Sequence, residues 1–267
     1  MIDLVGAELL KLRTTRLWWG LLIGVVLLSL ALGAVAGVSA GRDADGDGTG
    51  GPPLGDPATL RGAYTAGIGL AYLFTLALGI IVMAGEYRHG TMSSSVLAVP
   101  VRVKIVVAKL FGVTAAGLGY GVATVLASTI GALIVFKIRK VEPLWQSGAG
   151  IPRALALAAV AVALWALIGL GVGTLVRNQI VALLVAIAVG WILEPVVGLV
   201  LRLVDAGDVA KFLPTQATQA IVQPAQPQGS GLDLAMLPWW GGVLVLLAYA
   251  LVSAGIGAML TLRRDIT

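Results

Sequence analysis

The sequence predicts an all-α integral membrane protein with six transmembrane helices, and three observations carry that prediction. Its 267 residues are 58% apolar and only 12% charged, with a mean hydropathy of +0.98. A soluble domain is near half apolar and about a quarter charged. Six apolar runs, at about 17–40, 62–84, 107–136, 152–175, 180–203 and 238–262, reach the roughly 20 helical residues that cross the hydrocarbon core. Most charged residues sit between these runs or at their ends. In lipid such runs satisfy their backbone amides within their own helices, so residues 1–267 read as a single transmembrane domain.

Residues 2–16 place Leu4, Val5, Leu9 and Leu12 among Glu8, Lys11, Arg13 and Arg16, the spacing of a short amphipathic helix lying at the interface. Trp18 and Trp19 follow at the depth indoles prefer. The run from Leu17 to Ala40 is 24 residues, too long for the core of a signal peptide, and reads as the first span. Residues 41–60 are rich in Gly, Pro and Asp. Asp43, Asp45, Asp47 and Gly48 open like a calcium loop, but Leu54 stands where the bidentate Glu belongs, so an acidic solvated loop is the favoured reading. After the second span comes Gly85–Lys109, the densest polar island of the chain. A basic loop at 137–150 precedes the fourth span, and Arg177–Gln179 turn the chain into the fifth. Residues 204–237 are mostly too polar or interrupted to span. Pro238-Trp239-Trp240 open the sixth span, and Arg263-Arg264-Asp265 close it.

Six spans put both termini on one side. With the termini cytoplasmic, 10 of the 18 Lys and Arg residues fall inside, and the first flank has three inside against Arg42 and Arg61 outside. The net charge of +5 sits at the ends of apolar runs rather than on one soluble face, which argues against a nucleic-acid binder. Cysteine is absent, which excludes disulfides, thiolate metal sites and cysteine nucleophiles.

No Gly-x-x-x-x-Gly-Lys-Ser/Thr occurs, so the chain does not read as an enzyme that hydrolyses ATP through a phosphate loop. Gly20/Gly24, Gly33/Gly37, Gly117/Gly121 and Gly169/Gly173 have the spacing that lets helices approach closely. Glu194 is the one carboxylate deep in an apolar run. It reads either as a pathway or gating residue or as a structural hydrogen-bond partner near a helix broken at Pro195. In the polar island, Glu86 and Arg88 are two residues apart and cannot pair on one helix face. They face different partners or sit in a turn ended by Gly90. Thr91 is placed to cap a following short helix, Pro100 to break it, and Arg102, Lys104 and Lys109 to anchor the third span. An ordinary basic loop would share this composition.

At these residues the chain resembles the membrane subunit of bacterial type-2 ABC exporters. The resemblance rests on AELLKLRTTR before the first span, on GEYRHGTM with its Glu-x-Arg-x-Gly-Thr pattern, and on AVPVRVKIVVAKL leading into the third span. GLGVGTLVRNQ and the terminal LRRDIT add to it. It implies a cytoplasmic coupling helix at about 86–100, with Glu86, Tyr87, Arg88, His89, Gly90 and Thr91 taking force from an ATPase. Residues 2–16, with Glu8, Lys11, Arg13 and Arg16, would form the interfacial helix. Short outer or re-entrant helices would precede span six. It further implies two ATPase subunits holding ATP and magnesium, a second permease chain forming a homodimer, no cofactor in this chain, and a bacterial plasma membrane location among lipids. The cargo would be an unidentified substrate, amphipathic, drug-like or lipidic. A proton-coupled secondary transporter using Glu194 is the alternative. A non-transporting regulator is disfavoured, because no segment is large enough for a soluble sensing domain.

Overall fold

The computed structural model describes residues 2–41, 54, 56–89, 102–141, 150–176, 178–204, 206–224 and 236–263. Among these the chain is helical throughout, with no strand. Helix α1 (Ile2–Thr14) precedes α2 (Leu17–Ser39), and then come α3 (Pro57–Thr65), α4 (Ile68–His89) and α5 (Arg102–Ile138). Helices α6 (Ile151–Leu175) and α7 (Gln179–Ala188) follow, and a π-helical turn at Val189–Leu193 joins α7 to α8 (Glu194–Leu203). Two short helices, α9 (Gly207–Ala210) and α10 (Pro214–Val222), lead to α11 (Trp239–Arg263). Six helical stretches are long and apolar enough to cross a membrane: Leu17–Ser39, Pro57–Glu86, Lys104–Ile138, Ile151–Leu175, Gln179–Leu203 and Trp239–Ile256.

Helix α6 is the centre of the bundle, packed on α4, α5 and α11, while α2 lies along α5. Apolar burial cannot by itself drive such packing in lipid, so close backbone approach matters more. A Cβ built on Gly79 would lie 2.0 Å from Ala166 O, and one on Gly169 would lie 2.1 Å from Leu76 O. Gly33 and Gly131 face the α2–α5 seam in the same way, against Ser128 O and Leu30 O. The close approach expected for Gly33/Gly37, Gly117/Gly121 and Gly169/Gly173 is therefore present. Gly20 and Gly24 differ: nothing lies within 4 Å of a Cβ at Gly20, and Gly24 meets only the Phe74 ring.

Three spans depart from the plain rods of the sequence reading. The second is broken. Asp56 caps α3 by accepting from Ala58 N, Pro57 starts it, and the chain bends at Ala66–Gly67 before α4. The Tyr64 carbonyl beside the bend takes the Ser128 hydroxyl, at 2.6 Å. Ser29 packs so close to Gly67 that a Cβ there would lie 2.6 Å from it. The third span begins earlier than expected. Helix α5 has 37 residues, about 55 Å at 1.5 Å per residue, so it overruns a hydrocarbon core of roughly 30 Å.

The fifth span is not broken at Pro195. The proline has no N–H for the carbonyl four residues back, and the helix answers with a π turn, in which Glu194 N bonds Val189 O. The Gly190 carbonyl receives the Tyr72 hydroxyl from α4 at 3.3 Å. The helix then continues to Leu203.

Gly169→Val should force α4 and α6 apart, with a loss on the order of 1–3 kcal/mol, whereas Gly20→Ala should be neutral or mildly stabilising. Thermal unfolding of the detergent-solubilised chain measures both.

Candidate functional site

Four charged residues collect where α1, the end of α4 and the start of α5 meet, here the near end of the bundle. Glu8 and Lys11 are three residues apart on α1 and share a face, with Lys11 Nζ 2.8 Å from Glu8 Oε1. Glu86 lies in the last turn of α4, and Lys109 projects from the early turns of α5. Lys109 Nζ is 2.8 Å from Glu8 Oε2 and 2.8 Å from Glu86 Oε1, and Lys11 Nζ is 3.2 Å from Glu86 Oε1. Two carboxylates and two ammonium groups thus form a closed neutral ring joining three helices. Gly112, one turn beyond Lys109, makes room for α1, since a Cβ there would lie 3.2 Å from Glu8 Cβ.

Burial makes this ring more than a surface pair. Lys109, Glu86 and Glu8 are 4%, 6% and 8% exposed, while the Lys11 side chain is half exposed. Burial works to raise the Glu8 carboxyl, but Lys109 and then Lys11 outweigh it and hold the group below its ordinary value. Burial likewise opposes the Lys11 charge, and Glu8 and Glu86 together lift that ammonium above its ordinary value. Glu86 Oε2 is buried without a hydrogen-bond partner. A buried pair that loses one member leaves an uncompensated charge, which costs far more than an exposed pair contributes. Next to the ring, Trp18 Nε1 donates to Arg13 O at 3.0 Å and Tyr120 donates to Trp18 O, fixing the α1–α2 corner.

Of the residues singled out in the sequence, the fold brings together Glu8, Lys11 and Glu86. Arg13, Arg16 and Arg88 are exposed and lie outside the ring. Glu86 and Arg88 face different surroundings, one buried and one exposed, on a helix that runs to His89 rather than in a turn. Tyr87 and His89 are on the same last turn. Gly90, Thr91 and the rest of the expected coupling helix to residue 100 lie outside the described residues, as do Asp43, Asp45, Asp47 and Gly48. Lys109 is the member the sequence reading took only as an anchor. The available signal was a lysine with apolar residues on both sides, in VVAKLFGV, a setting that demands a carboxylate.

At the far end several basic residues are held by the fold. Arg139 Nη1 donates to the carbonyls of Gly37, Val38 and Ala40, closing the C-terminus of α2. Arg61 Nε donates to Gln223 O at the end of α10 (3.2 Å), and the Arg153 guanidinium sits 5.2 Å from the Trp239 ring. Glu194 is buried in the fifth span, and its Oε1 accepts from Thr215 N at 2.5 Å and from Thr215 Oγ1 at 2.6 Å.

Six span-competent helices, tied by buried charge at one end and crossed by short helices at the other, define a membrane-embedded transport bundle. A family profile described as ABC-2 family transporter protein matches residues 4–193, most of the chain. The chain belongs to the ABC-2 transporter family and is a permease-type membrane protein. No curated protein matches it.

Lys109→Met should destabilise the detergent-solubilised protein by about 3 kcal/mol or more, and Lys109→Met with Glu86→Gln should recover part of that loss. Thermal melts of the single and double variants read the difference. The ring also sets a pH window. Glu8 is lowered from 4.5 in the fold, so its contribution is complete above that value and is lost as the pH falls through the lowered one. Lys11 is raised from 10.5, so its contribution is complete below that value and is lost as the pH rises through the raised one. Amide exchange of α1 corrected for intrinsic rate should be flat between these limits and accelerate outside them.

Proposed function

We infer that this chain is the non-catalytic membrane subunit of an ATP-driven exporter. Two copies form the pathway in a bacterial plasma membrane with cytoplasmic termini, and two separate ATPase subunits holding ATP and magnesium dock at the near end. The observation that carries the reading is the Glu8–Lys11–Glu86–Lys109 ring. It joins the interfacial helix to both flanks of the segment between the second and third spans, residues 90–101. A push on that segment or on α1 therefore moves α4 and α5 together rather than bending one loop. Exposed Arg13, Arg88 and Lys104 lie on the same three helices as the ring, with Arg16 just after α1, and offer an acidic partner surface its contacts. The exposed apolar faces of α2 and of α7–α8 suit lipid and a second copy. Family membership supports the ATPase partnership. The proton-coupled alternative has no comparable support, because the hydrogen bonds to the Glu194 carboxylate come from Thr215 and no second titratable side chain is bonded to it among the described residues.

The test is affinity purification of the tagged chain from its native membrane. A phosphate-loop ATPase should copurify in equal amount. In the reconstituted complex carrying one cysteine introduced at the far end, Glu86→Ala and Arg88→Ala should leave assembly intact and abolish nucleotide-dependent changes in the accessibility of that thiol. Unchanged responses in both variants would remove the coupling assignment.

A further inference from the structure

The fifth span, after its π turn, is tied to the rest of the bundle in an unusual way. Its outward face carries Trp191, Ile192, Val196, Leu199 and Leu203, all exposed. Inward, Glu194 Oε1 accepts the Thr215 amide and hydroxyl. Thr215 is the second residue of α10, whose own N-cap, Leu213, supplies no side-chain cap. Glu194 is therefore the cap of a helix 20 residues further on, delivered from a different span. Helix α10 packs on α6 and α11. Its Ala217, Ala220 and Ile221 are buried, and a Cβ on Gly242 of α11 would lie 2.4 Å from Ala217 O. Thr218 Oγ1 takes the Trp165 indole N–H from α6 at 3.0 Å and itself donates to Pro214 O. At its other end Gln223 O takes Arg61. So α10 is a strap fixed to α6, α11 and α3, and Glu194 fastens α8 to it. One turn earlier on the same buried face of the span, Tyr72 holds the π turn through Gly190 O.

We propose that the Glu194–Thr215 pair is the clasp of a gate at the far end, and that release of α8 from the α10 strap, about the π turn, opens the outlet. The gate's place in a transport cycle rests on the permease reading above; the clasp itself does not. A carboxylate in a span is costly unless donors face it, and here the donors are one amide and one hydroxyl from the first turn of a helix, whose partial positive charge favours an anion. Two states follow. Closed, the carboxylate is held by α10. Open, both Glu194 and the first turn of α10 lose their partners, and water is the available replacement, so parting and wetting of the seam between α8 and α10 occur together. A buried apolar contact would tie these elements without that coupling. The π turn supplies the hinge, because its backbone bonds are already displaced by Pro195. The matched family region ends at residue 193, so the clasp is a feature of the remainder of this chain.

The absence of cysteine makes the test direct. Ala217 of α10 is 0% exposed, and Ala217→Cys in the purified full-length chain serves as the reporter, with Ala220→Cys as a second. Maleimide labelling should accelerate about fivefold or more on adding Glu194→Ala, and less on adding Glu194→Gln, whose carbonyl still accepts from Thr215. Thr215→Val keeps the backbone bond and should give a smaller rise; with Glu194→Gln it carries the test if the alanine variant fails to fold. Rates equal within about twofold across these variants would overturn the clasp. In the complex with its ATPase, a non-hydrolysable ATP analogue should raise reporter labelling in the otherwise unaltered chain. Labelling that rises with Glu194→Ala but ignores nucleotide in an assembled complex would overturn the gate while leaving the permease reading intact.

Discussion

In a bilayer, a backbone carbonyl or amide that leaves the helical ladder has no water to turn to, and the departures from regular helix in this bundle are met by side chains from other helices. Ser128 of α5 takes the Tyr64 carbonyl at the bend in the second span. Tyr72 of α4 takes the Gly190 carbonyl at the π turn. Arg139 closes the last carbonyls of α2, and Glu194 closes the first amide of α10. Each irregularity is thus also a tertiary contact. The same satisfaction rule that permits a bend determines which helix must lie beside it.

The two ends of the bundle use polar chemistry differently. At the near end, four charges balance within one ring, and each helix that contributes a charge is held by two or more partners. Such a ring transmits displacement, because moving one member exposes or strands another charge in a poorly solvated site. At the far end, one carboxylate meets one helix start. Among the described residues Thr215 alone bonds that carboxylate, which suits a latch better than a transmission. Between them, α6 packs on α4, α5 and α11 through glycine-lined seams that hold backbones in contact and allow few intermediate separations. In the transport cycle proposed above, motion at one end would reach the other through rigid helices rather than through flexing cores.

The unequal burial of the spans fits this division. Helix α6 is enclosed by its neighbours, whereas α7–α8 and α2 expose wide apolar faces. The fifth span has its main helix–helix packing against α4, with a lighter contact to α6, so it is the span least committed to the central body. Its Asn178 cap, which accepts from Ile180 N and Val181 N, fixes where it starts but not how firmly it is held.

The number of spans, their approximate limits and a separate helix at the start were legible in the sequence, because length and hydropathy decide what can cross a bilayer and those are local properties. The four-residue glycine pairs also marked three seams correctly, since a missing Cβ is a local fact with one main use between helices. Gly20 carried the same pattern with no partner beside it, and Gly24 met the Phe74 ring of α4 rather than a backbone, because the pattern cannot say what a neighbouring helix presents there. Glu86 stood out by its polarity, but Lys109 passed for a flank residue; only the convergence of α1, α4 and α5 reveals that four charges from three segments neutralise one another. Pro195 announced a disturbance in the fifth span, and the choice between a break and a π turn fell to Tyr72 and Thr215, from outside that helix. Local chemistry by itself determined the helices and their membrane setting. The pairing of buried charges, the bend in the second span and the fastening of Glu194 to a distant helix were decided only by the tertiary structure, because a buried polar group is stable or costly according to what the rest of the chain brings to it.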